Sequence, residues 1–390
     1  MLGAISTSTD ATHKGVLAIR AVAATPATIG NIISGEGSVS VLGGKVTLSG
    51  ANSYTGGTTV SAGILTLTGD NTGGGTTTVH AGAALQIGTG GTSGNLTGNI
   101  VNNGALVVNR SDALDLAGVI SGTGSLVQNG GGTLTLSGVN TYTGGTTMTG
   151  GTLAAASDSN LGGASGGLTF NGGTLQVTGT GWTSTNRTVR LQTGGTFEIE
   201  DATNNFAVMQ GVTGAGGLTK SGAGTLTLSG ANTYTGATTV SAGILTLTGD
   251  NTGGGTTTVH AGAALQIGTG GTSGNLTGNI VNNGALVVNR SNALDLANVI
   301  SGTGSLTKNG AGTLTLSGVN SYTGGTTVSA GTLAVANDNN LGGASGGLVI
   351  NDGATLQVTD NLTTARVVTL ERERPPSRPM GARRRSSRTS

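Results

Sequence analysis

The sequence contains no cysteine, so disulfides and thiolate metal sites are excluded. Charge is scarce: 8% of residues are charged and the net charge is +1, which leaves no basic surface of the kind nucleic acids require. Aromatics make up 2%, too few for the large side chains of an ordinary globular core. Proline is absent from 27 to 374, which suits paired strands because proline cannot donate to a ladder. No apolar run approaches the ~18 residues of a membrane helix. The best apolar stretch near the N-terminus, 15–24, is interrupted by Arg20, so no secretory signal is read there. Three histidines, with no Ser/His/Asp arrangement, give nucleophilic catalysis no support.

What is present is glycine, 77 of 390 residues, together with threonine and small aliphatics. Disorder pairs low hydrophobicity with high net charge. This chain is 35% hydrophobic and nearly neutral, so it is expected to fold. The charge is uneven. Residues 371–390 hold seven arginines against two glutamates, leaving the body mildly acidic.

Internal repetition dominates. Residues 48–126 recur at 228–306 with 75 of 79 positions identical, and weaker similarity extends the copies to 48–178 and 228–359. A shorter motif reads GTLTLSGVNTYTGGTT from Gly132, with near copies from Gly44, Gly224 and Gly312. Its tyrosines, Tyr54, Tyr142, Tyr234 and Tyr322, are spaced 88, 92 and 88 residues apart. Beneath this lies a period near 20: the TTV ending at Val60 returns ending at Val79, and Leu65-Thr-Leu67 is followed by Leu85-Gln-Ile87.

Leu134-Thr-Leu136 alternates with period two, which turns both leucines to one face of a strand. Short strands end in Ser-Gly, Asn or Gly-Gly turns. One such coil cannot bury its leucines, whereas stacked coils bury them and pair each other's backbones. The pattern predicts an all-β fold, a parallel β-helix solenoid of ~17 coils and roughly 80 Å. The expected organisation is a poorly defined segment 1–30, a β-helix over 31–370, and a basic, Pro/Arg-rich disordered tail over 371–390.

The run VISGTGSLTKNGAGTLTLSGVNSYTGGTTVSAGTL, 299–333, resembles the autotransporter-associated β-strand repeat. Similar runs span 212–245 and 119–153, with a degenerate fourth from about Ile33. The resemblance implies a passenger domain of type V secretion, standing at the cell surface outside an outer-membrane β-barrel, with a repeat that aids passage and folding. Neither a signal peptide nor a barrel is recognised in this sequence, so a passenger fragment is expected.

Several residues are candidates for sites. His80 and His260, at equivalent repeat positions, lie about nine coils apart, on the order of 40 Å, and cannot share a metal. Asp70 and Asp250 sit in LTGDNTGGG, where a turn aspartate bonding local backbone is expected. Glu198, Glu200 and Asp201 form the one carboxylate cluster of the body; paired carboxylates serve glycoside hydrolysis, but a solvated strand face is expected. Gly162–Gly167 lacks the Gly-Lys-Ser/Thr of a phosphate loop. Thr-x-Thr pairs recur too irregularly for an ice-binding face. Arg383–Arg385 reads as a solvated tail. No catalytic, cofactor-binding or metal-binding residue is therefore assigned, and no cofactor or small-molecule substrate is expected.

The expected function is structural: a surface passenger segment that supports secretion and display. It would adhere to carbohydrate or protein on host or bacterial cells through many weak, equivalent contacts along the rod. The alternatives are a polysaccharide-active β-helix enzyme centred on Glu198 and Glu200, or a truncated fragment without independent function.

Overall fold

In a computed structural model, residues 5–6, 15–22 and 26–372 are described. The alternation seen in the sequence becomes a stack of parallel strands wound as a β-solenoid of about 18 turns. Each coil carries strand material on three faces. Thr58–Val60, Ile64–Leu67 and Asp70–Asn71 make one coil. Thr77–Val79, Ala84–Ile87 and Asn95–Leu96 lie directly above them as the next. In each strand one set of side chains points inward. Val60, Leu65, Leu67, Val79, Leu85 and Ile87 are buried, while Thr59, Thr66, Thr78 and Gln86 between them are half-exposed.

The stacking runs from Val16–Arg20, which pairs with Ser38–Gly43, to Val368–Glu371, which pairs with Leu348–Asn351. Residues 373–390, most of the Pro/Arg-rich tail, lie outside the described residues. Two long strands, Leu168–Val177 and Val189–Ile199, bend around a corner so that each lies on two faces. This join between the long copies holds the aromatic core. The Phe170 and Phe197 rings lie 4.8 Å apart, Phe197 and Phe206 6.4 Å, and Trp182 meets Phe206 edge-on at 4.8 Å.

Corners explain part of the glycine content. Gly63 turns with φ +77°, and a Cβ there would sit 2.1 Å from the carbonyl oxygen of Gly44 in the coil below. Coils stacked this closely leave no room for a side chain at that point.

The interior also holds polar groups, bonded between coils and within them. The asparagine two residues before each motif tyrosine accepts from a backbone N–H of the preceding coil. Asn52 Oδ1 accepts from Ile33 at 2.9 Å, Asn140 from Ile120 at 2.7 Å, Asn232 from Val212 at 2.9 Å and Asn320 from Ile300 at 2.8 Å. In three of the four motifs the amide also donates upward: Asn52 to Asn71 Oδ1, Asn140 to the Asn160 carbonyl and Asn320 to the Asn340 carbonyl. Each tyrosine hydroxyl bonds the threonine four residues on, at 2.6–2.7 Å in Tyr54–Thr58, Tyr142–Thr146, Tyr234–Thr238 and Tyr322–Thr326. Burial pushes the Tyr142 and Tyr322 hydroxyls up to about 12.

Gln128, Lys220 and Lys308 occupy one motif position and cap corner carbonyls from inside. Gln128 Nε2 donates to Gly130 and Gly132. Lys220 Nζ donates to Ser221, Gly222 and Ala242, and Lys308 Nζ to Gly310 and Ala330. Both lysines are essentially unexposed. Burial lowers the pKa of Lys220 to about 8.

Two outcomes follow from this interior. Asn140→Ala leaves the Ile120 N–H and the Asn160 carbonyl without partners, at a cost of about 2–4 kcal/mol in urea unfolding; the exposed Asn186→Ala costs under ~0.5 kcal/mol. A lysine whose pKa is lower folded than unfolded opposes folding while charged. Stability therefore rises as pH climbs from about 8 toward the ordinary lysine value of 10.5. The buried tyrosines, with folded pKa raised above 10.0, reverse the trend once the unfolded tyrosines ionise. A melting temperature that climbs between pH 8 and 10 and falls beyond is expected. Lys220→Gln, the residue type of position 128, flattens the climb.

Candidate functional site

The candidate residues are not brought together. His80 and His260 are exposed at coil corners far apart in the stack. Among the described residues no three His, Cys, Asp or Glu side chains gather as a metal site. Asp70 and Asp250 are exposed at the edges of two-residue strands that pair with Asn95 and Asn275.

The carboxylate cluster lies at the end of a strand. Glu198 lies outward on the strand between inward Phe197 and Ile199; the strand ends at Ile199, and exposed Glu200 continues the alternation, its N–H donating to the Val177 carbonyl at 3.3 Å. Asp201 Oδ1 accepts from Thr203 twice, from Oγ1 at 2.6 Å and from the backbone N–H at 2.8 Å. These bonds hold its carboxyl below the usual carboxylate range. A general acid in glycoside hydrolysis needs the opposite shift.

The glycine segment 162–167 also has the wrong polarity for an anion. It follows the short 3-10 helix Asp158–Leu161, and its carbonyls turn toward Arg187. The Arg187 guanidinium, 2% exposed, donates to the carbonyls of Gly162 at 2.7 Å, Gly163 at 2.7 Å and Gly166 at 2.9 Å, and to the Asp158 carboxylate at 3.0 Å. Arg366 makes the same set with Asp338, Gly342, Gly343 and Gly346. Hydrogen bonding from Arg366 lowers the Asp338 pKa.

A second arginine pair pins the loops at 88–94 and 268–274. Arg110 donates to the carbonyls of Gly94 and Thr92, and Arg290 to those of Gly274 and Thr272. Asp112 completes the first guanidinium and Asn292 the second, so one of the four differences between the copies is absorbed here. The sequence reading missed these arginines and the buried lysines. The available signal was recurrence: Arg110 matches Arg290 within the long copies, and Arg187 matches Arg366 just beyond them.

The outward threonines form a ladder in one column, where Thr133, Thr152, Thr174, Thr196, Thr219, Thr239 and Thr258 stand in register on consecutive coils, while other columns are mixed. On the face of Thr59 the column reads Ser40, Thr59, Thr78, Val101, Ser121. On the face of Thr66 it reads Thr47, Thr66, Gln86, Val107, Val127. The Tyr, Trp and described Phe rings are buried, so none of them offers a surface platform on which a sugar ring could stack. A shallow open groove of ≈ 460 Å³ runs along the corner at Ala263, Gly284 and Gly304, lined by small residues without a titratable group. Arg383–Arg385 lie outside the described residues. The arrangement offers repeated hydrogen-bonding loops and flat Thr, Ser, Gln and Val surfaces.

Comparison with known proteins agrees with this geometry. The Passenger-associated-transport-repeat family matches at residues 43–65, 62–87, 126–155, 218–245, 242–267 and 306–335. The chain is 42% identical over 207 residues to the Adhesin BmaC autotransporter of Brucella suis biovar 1 (strain 1330). That alignment takes in 53% of this chain and 5% of the relative, so the chain spans a small part of the relative's length. No solved structure matches. The repeats fall on the strand–corner–strand units that build the coils, and together with the adhesin relative they support reading the chain as a β-helical stretch similar to autotransporter passengers.

Proposed function

We propose that this stretch works as a surface-displayed stalk, supporting secretion by folding outside the cell and contributing adhesive surface along its length. The observation that carries the reading is the unbroken run of parallel pairing from Val16 to Glu371, with its inward aliphatic seam. Each coil is satisfied by its neighbours alone. A chain emerging from one end can therefore fold coil by coil, and each completed coil resists being drawn back.

Adhesion is read from the surface chemistry and from the name of the relative. The exposed loops carry Thr and Ser hydroxyls and backbone amides, with little charge. They suit hydrogen bonding to surface protein or carbohydrate, through contacts that are individually weak. The cell surface or outer membrane of a bacterium is the proposed location, and the stalk role is non-enzymatic.

The test is a chimaera in which residues 16–371 are placed between a secretion signal and an outer-membrane barrel. The segment is expected at the surface, resistant to added protease, and cells bearing it adhere more than cells bearing the barrel alone. Retention inside the cell at normal expression would overturn the secretion role, and display without added adhesion would overturn the adhesive one. Release of reducing sugar from surface polysaccharide, abolished by Glu198→Gln, would replace both with an enzyme.

A further inference from the structure

The strand pairings allow the position of each tyrosine motif around the rod to be traced. Thr58–Val60 stands on one face, called the first, in a column with Ser38–Gly43, Thr77–Val79, Ile100–Asn102 and Ile120–Ser121. The equivalent strand of the next motif, Thr146–Met148, does not continue that column. It pairs with Ser125–Gln128, in the column of Ala105–Val108, Ala84–Ile87 and Ile64–Leu67, which is the second face. The third motif strand, Thr238–Val240, pairs with Gly217–Ser221. Its column descends through the far ends of the two corner strands to Thr152–Ala155, on the third face. The fourth, Thr326–Val328, pairs with Ser305–Lys308. Its column leads down to Asn205–Val208 and Ser184–Thr185, immediately before the second-face strand Val189–Ile199, and so returns to the first face.

We infer that the motif winds around the rod in third-turn steps, so that near-identical surface elements face three different ways. Each interval of 88 or 92 residues is four coils and one further face. Successive motifs are displaced by roughly 21 Å along the axis and about 120° around it, and the same face recurs only after thirteen coils, roughly 62 Å. The two long copies are likewise not in line. The loops 88–94 and 268–274 are identical in sequence and pinned by equivalent arginines, yet they project from different corners.

The winding stands on strand pairing alone, but its consequence for adhesion rests on the stalk reading above. A flat surface laid against one side meets a given motif element once per thirteen coils, so neighbouring copies do not add avidity toward it. They instead present the same element to separate partners on different sides, which favours bridging between surfaces over multivalent grip on one.

The chain lacks cysteine, which gives a clean background for crosslinking. Strand spacing of about 4.8 Å lies within the ~4.4–6.8 Å that a disulfide spans. Thr59→Cys with Thr78→Cys is the positive control, since these outward residues are neighbours in one column. Val127→Cys with Thr147→Cys is expected to crosslink as fully as the control, and so is Thr219→Cys with Thr239→Cys. Ser121→Cys with Thr147→Cys is expected to remain as free thiols, because the two stand on different faces. Peptide mapping by mass spectrometry reads each pair. Crosslinking of Ser121→Cys with Thr147→Cys, or failure of Val127→Cys with Thr147→Cys where the control succeeds, would overturn the winding. Either result is independent of whether the displayed segment adheres.

Discussion

The structure depends on one constraint: no coil of about twenty residues can satisfy itself. A coil places only a handful of aliphatic side chains inward, each worth roughly 1.5–3 kcal/mol when fully buried. Fixing its backbone costs about 1–2 kcal/mol per residue. Its N–H and C=O groups point along the stacking direction, so they find partners only above and below. Lateral pairing supplies both the missing hydrogen bonds and the second wall of the core. Small aliphatics on the inside, few aromatics and glycine at the corners follow from the narrow axis that this stacking leaves.

The same constraint explains the polar residues of the interior. Where a coil turns a corner the ladder breaks, and backbone groups would be stranded in a dry region. Asn140, Arg187 and Lys220 are each placed at such a break, reaching groups of the adjoining coil. The charged members are costly to bury, and they are tolerated because their donors meet several carbonyls at once. They fix the path of the turn, and the glycines of 162–167 belong to one such corner, held by Arg187.

Much of this was legible in the sequence. The return of TTV from Val60 to Val79 and the Leu-Thr-Leu alternation give the coil length and the inward face, because both are set locally by strand geometry. The resemblance drawn from residues 299–333 agrees with the repeats matched at 306–335. Other features were not legible because they are decided by the neighbouring coil. The partners of Arg187 are 21–29 residues away, set by how two corners overlie, and nothing adjacent to Arg187 in the sequence marks it as buried. The winding of the motif was hidden too. Coils differ in length, so the shift between the long copies reads as nine coils when the strand columns count eight and two-thirds.

Small-angle X-ray scattering of the monomeric chain tests the central claim most directly, since stacking fixes the shape. About 18 coils at roughly 4.8 Å give a rod, and the pair-distance distribution should peak early and decline in a long straight tail toward about 85–90 Å. A symmetric, bell-shaped distribution would contradict it, with a radius of gyration of roughly 21 Å, the value for a compact globule of this chain length.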